Sequence, residues 1–253
     1  MLNRRPLWLE FRPATVRAKL RLFCLPHAGG GAVSFYSWSA LLPPFVQVCS
    51  VRLPGRETRL SEPLFTEIDP LVDVMVQELQ PWLDIPYAVF GHSMGALLAF
   101  ELVRRQQRAG NPMPVWTFLS GRRAPDMPGE MKSLQTLPDR EFVAELSRLY
   151  NGMPDEIVDD EESIKMFLPI LRADIAVVES YRFMRGEPLD CPMTVFAGAR
   201  DSSVSWDQML AWKRQTGRSF ALHILPGGHF YSQEPLLRTI SDTLVKLYPS
   251  VSD

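Results

Sequence analysis

A chain of 253 residues with 46% hydrophobic content can bury one large core, so a single domain spanning 1–253 is expected. A formal net charge of −2 argues against nonspecific nucleic-acid binding, and no stretch approaches the length of a membrane span, so neither nucleic acid nor membrane is an expected partner. Cys24, Cys49 and Cys191 are odd in number and lie in or beside predicted strands, and the early apolar run Leu7-Trp8-Leu9 is too short for a signal peptide; buried thiols and a cytoplasmic location are expected.

In chain order, Leu20–Leu25 reads as a first buried strand, and the loop Pro26-His27-Ala28-Gly29-Gly30-Gly31 follows it. Its glycines let backbone amides face a ligand unhindered. A phosphate loop is the minor alternative, since neither a Gly-Lys-Ser/Thr ending nor a G-x-G-x-x-G frame is present. A strand near 46–51 and a helix near 70–82 come next. The apolar strand near 86–91 runs directly into Gly91-His92-Ser93-Met94-Gly95 and then into a helix near 94–109. That strand, turn and helix context gives a G-x-S-x-G match its meaning: the serine hydroxyl is pushed out above the carboxyl end of the sheet as a nucleophile. His92 fills the variable slot and is expected to pack or position rather than react.

After a strand near 115–120, the alternation breaks over about 127–187. Helical segments at Leu134–Tyr150 and Ser163–Met184 flank the acidic stretch Asp155–Glu162, and no strand is evident. This reads as a helical lid inserted on the active-site side. Met127, Met131, Met153, Met166 and Met184 fall within it, either lining an adaptable acyl chamber or packing as ordinary core. Strands near 192–198 and 220–225, with helices near 205–215 and 234–247, complete a mostly parallel, doubly wound α/β sheet.

A serine nucleophile needs a histidine base and an orienting acid. His229 sits on the loop after the last strand and Asp201 on the loop after the strand before it, whereas His223 lies inside a strand. The order Ser93, Asp201, His229 is the one expected of an α/β-hydrolase fold. Asp126, one strand earlier, is the competing acid. The oxyanion is expected to rest on the backbone N–H groups of Ala28 and Met94, with Gly29 as a neighbour. His27, Gly29, His92 and Phe230 are the candidate substrate-binding residues.

Taken together, Pro26-His27-Ala28-Gly29-Gly30, Pro54-Gly55-Arg56-Glu57 with Arg59 and Glu62-Pro63, the elbow around Ser93, the Gly198-to-Asp201 turn, Trp212 and Gly227-Gly228-His229-Phe230 give the chain a resemblance. It resembles the type II thioesterases, stand-alone editing hydrolases that accompany polyketide synthases and nonribosomal peptide synthetases. Ser202 departs from the proline that often follows the acid in that family. The resemblance implies an acyl substrate held as a thioester on the 4′-phosphopantetheine arm of an acyl or peptidyl carrier protein, an acyl-enzyme on Ser93, and no metal or cofactor. A monomer is expected. Because such carriers are generally acidic, Arg52, Arg56, Arg59, Arg122 and Arg123, all after strands at the reactive end, are candidate docking residues. A small-ester carboxylesterase or lipase-like enzyme is the runner-up, a non-catalytic acyl-ligand receptor a more distant alternative, and a macrocyclising thioesterase a third.

Overall fold

The computed structural model describes residues 7–12, 16–128, 133–150 and 161–248, with backbone alone at 161–165. Seven strands form one sheet: β1 (Leu9–Phe11), β2 (Leu20–Leu25), β3 (Val46–Val51), β4 (Tyr87–His92), β5 (Trp116–Ser120), β6 (Met193–Gly198) and β7 (Phe220–Leu225). Their order across the sheet is β1-β3-β2-β4-β5-β6-β7, and every neighbouring pair is parallel except β1 against β3. The six longer strands match the sequence expectation. β1 was not anticipated: three residues are too short to show a period, and the strand exists because Leu9 is buried beside Val51 at the sheet edge.

Helices α1 (Ile68–Leu79) and α2 (Met94–Arg108) cover one face. Their apolar stripes, including Val72, Met75, Leu97 and Phe100, pack on Phe23, Val89, Leu119 and Val195. The alternate strand residues Leu22, Phe90, Phe118 and Phe196 point to the other face and meet Trp38, Leu237 and Ile240. Burial on both faces explains why the central strands read as continuous apolar runs rather than as alternating ones. Cys24, Cys49 and Cys191 are buried, free thiols in this core.

Between β5 and β6 lie α3 (Asp139–Tyr150) and α4 (Glu161–Ser180). They share a small core of Phe142, Leu146, Leu168 and Ile175, while Val177 reaches back into the main core. Asp155–Glu162 lies outside the described residues apart from the backbone of its last two, and so do Met131 and Met153. Met166 and Met184 are exposed and Met127 is half-buried, which corrects the methionine-lined chamber for those three. The helix expected near 205–215 is divided into α5 (Trp206–Leu210), opened by a Ser205–Gln208 capping box, and a tighter 3-10 turn, Ala211–Gln215. The last helix, α6 (Gln233–Leu247), lies on the face opposite α1 and α2.

Candidate active site

Ser93 joins β4 to α2 in a conformation that a serine rarely adopts, with φ 55° and ψ −112°. The strain, of order 1–3 kcal/mol, is tolerated because the surroundings over-determine the turn. The Ser93 amide donates to Ser120 O at 2.8 Å. A Cβ on Gly91 would lie 2.0 Å from Gly95 O, and one on Gly95 would lie 2.2 Å from Leu25 O. Only glycine at both positions lets the strand and helix close this tightly, which is the physical content of the G-x-S-x-G spacing.

The loops after β6 and β7 are bound together by the amides of Ala199 and Arg200, which donate to Leu225 O and Gly227 O at 2.8 Å. This clamp brings Asp201 and His229 together: His229 Nδ1 and Asp201 Oδ2 are 2.8 Å apart, and both residues are buried. Ser203 holds the other carboxylate oxygen, donating to Asp201 Oδ1 from its hydroxyl at 2.6 Å and from its amide at 3.0 Å. Burial pushes the Asp201 carboxyl up, but the hydrogen bond and charge of His229 and the two bonds from Ser203 outweigh it and hold the acid below its usual range. The competing acid is placed elsewhere. Asp126 Oδ2 accepts from Arg214 Nε at 2.9 Å. Ser203 escaped the sequence reading, although Asp-x-Ser is the signature of an aspartate that accepts hydrogen bonds from two residues on.

Ser93 and His229 line one cavity of about 160 Å³ with His27, Ala28, Gly29 and Met94 on its polar side. Leu146 and Tyr150 of α3, Phe167, Leu171, Ile175 and Val178 of α4, and Phe230 supply an apolar wall. His92 stands behind the cavity, its ring 5.1 Å from that of His229 and its Nδ1 2.7 Å from Ser120 Oγ. It is therefore a packing neighbour of His229 and does not line the cavity, which corrects its place among the candidate substrate-binding residues. Tyr150 lies against the His229 ring from the helical insertion at 4.7 Å.

The glycine loop is held from an unexpected direction. The Gly29 amide donates to Asp174 Oδ2 of α4 at 2.7 Å, so it is occupied, whereas among the described residues no acceptor takes the Ala28 N–H. Arg56 forms a bidentate pair with Asp174, at 2.8 and 2.7 Å, and also donates to Gly30 O at 2.9 Å. The Pro54-Gly55-Arg56 segment thus fixes the shape of the glycine loop and ties it to α4. This corrects the docking role for Arg56. Arg59 is likewise buried, paired with Glu62 and lying over Trp8, and Arg52 reaches Leu9 O and Thr58. The available signal for Asp174 was its place as the lone acid in the run Ile170–Val178, which is apolar apart from it and Arg172.

Breaking this pair from one side leaves a buried carboxylate uncompensated. Arg56→Met is expected to destabilise the fold by about 3–5 kcal/mol in urea unfolding, and the further change Asp174→Leu is expected to recover part of that loss. Equal or greater loss in the double variant would show that the Asp174 bond to the Gly29 amide and packing outweigh the unpaired charge.

Two of the histidines resist protonation. Burial, then the neighbouring His229 charge, lowers His27 to about 4, with Asp174 opposing, and burial with His229 and His27 holds His92 well below the usual range. The unfolded chain takes up these protons below about 6.5 while the folded one refuses them, so their stabilising contribution is complete above that pH and is lost as pH falls towards 4. For His27 this amounts to about 3 kcal/mol. The unfolding free energy of His27→Gln, followed from pH 7 to 4, should fall less steeply than that of the parent.

Among the described residues no group of three or more His, Cys, Asp or Glu could hold a metal ion, and no helix is long and apolar enough to cross a membrane.

Residues 20–244 match the thioesterase domain family. The chain is 45% identical over 227 residues to the gramicidin S biosynthesis protein GrsT of Aneurinibacillus migulanus, covering 90% of this chain and 88% of that one. Among solved structures, RedJ, a thioesterase of the prodiginine pathway in Streptomyces coelicolor, superposes with a TM-score of 0.85 at 36% identity, covering 91% of this chain and 94% of RedJ. The type II thioesterase BorB of the borrelidin biosynthetic cluster gives 0.84 at 37%, covering 94% and 97%.

Proposed function

This chain belongs to the thioesterase family, an enzyme of secondary-metabolite biosynthesis that hydrolyses thioesters on an α/β-hydrolase fold, and from that premise we propose its substrate and its catalytic residues. The substrate is an acyl group held on the 4′-phosphopantetheine arm of an acyl or peptidyl carrier protein. Ser93, His229 and Asp201 carry the reaction.

The observation that carries the assignment is the bond between His229 Nδ1 and Asp201, beside a strained Ser93 in one cavity. With Nδ1 engaged by the carboxylate, Nε2 is the ring nitrogen left to take the Ser93 proton. The serine oxygen then attacks the thioester carbonyl, and the charge that develops on the carbonyl oxygen is received by the Ala28 and Met94 amides. Met94 is the first residue of α2, so its N–H has no acceptor within the helix. The pantetheine sulfur leaves with the proton carried by His229. A water molecule, deprotonated by the same nitrogen, attacks the acyl-serine, and the acid is released as His229 returns that proton to the departing Ser93 oxygen. No cofactor takes part in these steps, and the chain acts as a cytoplasmic monomer.

Purified protein incubated with a panel of acyl-loaded carrier proteins, each followed by intact mass, tests the assignment. Loss of the acyl mass with the phosphopantetheine retained is expected. Hydrolysis of small oxygen esters with carrier thioesters untouched would replace it with the carboxylesterase reading.

The insertion between β5 and β6 serves as a lid over the acyl group, since α3 and α4 supply the apolar wall of the cavity. Amide exchange at 139–150 is therefore expected to run faster than in β4, β5 and β6, and to slow when a non-hydrolysable acyl-pantetheine is added. Protection equal to that of the strands in the free protein would rule out an opening lid.

A further inference from the structure

We propose, resting on the reading of Ser93 as nucleophile and His229 as base, that Tyr231 is a positioning residue: through the Ser120 hydroxyl it holds the His229 loop at working distance from the Ser93 turn.

The topology creates the need. Ser93 follows β4 and His229 follows β7, with β5 and β6 between them in the sheet. Three strand spacings separate β4 from β7, about 14 Å at the usual interval. The loop after β7 must therefore lie back across the strand ends to bring its histidine to the serine. Its tie to the loop after β6, through the Ala199 and Arg200 amides, sets His229 against Asp201 but does not reach the β4 turn.

The remaining gap is closed at Ser120, the last residue of β5. Its carbonyl accepts the Ser93 amide at 2.8 Å and its hydroxyl meets His92 Nδ1 at 2.7 Å, so the nucleophile and the residue before it are both held there. The same hydroxyl pairs with Tyr231 Oη. Tyr231 in turn closes the His229 loop by an antiparallel bridge to Gly227, where a Cβ would lie 2.8 Å from Tyr231 Cβ. Among the described residues, the side-chain hydrogen bonds between the β4 turn and the β7 loop thus meet at one atom, Ser120 Oγ. The next residues stay on this wall. A Cβ on Gly121 would lie 2.7 Å from His92 Cε1 and 3.4 Å from His229 Cε1, and Arg122 lines the cavity.

The protons of this chain have one complete arrangement. Burial pushes the Tyr231 hydroxyl well up, opposed by the Ser120 hydrogen bond and helped by the Asp201 charge, so Tyr231 keeps its proton. Ser120 Oγ is its acceptor among the described residues, which leaves the Ser120 proton to be donated to His92 Nδ1. Ser120 is buried and the Tyr231 ring packs on the core, where a hydroxyl without a partner is costly. The His229 loop is therefore held to the Ser93 turn by a bond that is unfavourable to break.

Tyr231→Phe removes that bond and keeps the ring. Tyr87→Phe is the control, since the Tyr87 hydroxyl donates to Pro112 O at 2.7 Å at the opposite end of β4. With an acyl-pantetheine thioester, Tyr231→Phe is expected to lower kcat by at least about tenfold with KM within about threefold of the parent, because a misplacement of about 1 Å between reacting groups can cost of order a hundredfold. Phosphorylation of Ser93 by diisopropyl fluorophosphate, which needs the serine and its base but no acyl wall, should slow by a similar factor. Tyr87→Phe should leave both rates unchanged. Ser120→Ala severs both ends of the chain, so adding Tyr231→Phe to it should cost less than about threefold more. A smaller kcat loss in Tyr231→Phe, a loss carried by KM, an unchanged phosphorylation rate, an equal loss in Tyr87→Phe or a multiplicative loss in the double variant each overturns the proposal. Should Ser120→Ala not fold, the two tyrosine variants decide alone. Failure of the underlying reading looks different: the parent itself would release no thiol, or Ser93→Ala would keep the parent rate.

Discussion

Ser93→Ala is expected to lower hydrolysis of an acyl-pantetheine thioester by at least about a thousandfold, because the residual rate then comes only from oxyanion donors and binding. Thermal unfolding should be nearly unchanged, since the side chain supports no part of either core cluster. A second variant distinguishes loss of the nucleophile from damage to the turn. Ser93→Gly also lacks the hydroxyl but adopts φ 55° without strain, so it should be equally inactive yet more stable than the parent by about 1 kcal/mol. Should either variant keep a tenth of the parent rate, as read by release of free thiol, Ser93 is not the nucleophile.

The residues proposed as nucleophile and base could be picked out in the sequence because their signals are local. Gly91, Ser93 and Gly95 announce a turn that only glycines can close, and His229 follows the last apolar run at the end of the sheet where ligands bind. Asp201 was preferred to Asp126 on chain order, and the fold sets it beside His229, where β6 and β7 are clamped at their ends, while Arg214 takes Asp126. The arginines were read less well. Charge alone cannot say whether a guanidinium lies on a rim, in a buried pair or in a cavity, and Arg52, Arg56, Arg59 and Arg122 divide among these according to how the chain folds around them. Arg56 finds Asp174 across 118 residues, a separation no periodicity records. β1 was missed for the opposite reason: its three residues carry too little pattern, and pairing with β3 makes it a strand.

That long-range pair also holds the glycine loop after β2. The glycines of the loop permit close approach, but they impose no shape. Shape comes from Asp174 on the Gly29 amide and Arg56 on Gly30 O, so a residue of α4 helps determine where the Ala28 amide points. The apolar wall proposed to enclose the acyl group and the loop proposed to stabilise its oxyanion are therefore one hydrogen-bonded assembly, and substitutions on α4 should alter kcat as well as substrate preference.

Asp201→Asn is expected to cost about ten-thousandfold in kcat, far beyond the loss of one negative charge, and the reason lies in Ser203. Both the amide and the hydroxyl of Ser203 donate to Asp201 Oδ1. An asparagine at this position keeps its carbonyl oxygen towards those donors, which turns its NH2 group onto His229 Nδ1. That nitrogen must then accept, the ring proton moves to Nε2, and the imidazole can no longer take a proton from Ser93. Asp126→Asn, by contrast, weakens a partly exposed pair with Arg214 and should leave kcat within a few-fold of the parent. The decisive variant is Asp201→Asn combined with Ser203→Ala. Removing the hydroxyl donor frees the amide to rotate, so the double variant should recover at least about tenfold of the lost rate, although Ser203→Ala alone slows the parent. Steady-state thiol release from the four proteins decides the matter. An additive loss in the double variant would mean that Ser203 does not set the orientation of the acid, and an Asp126→Asn loss larger than that of Asp201→Asn would move the acid to the end of β5.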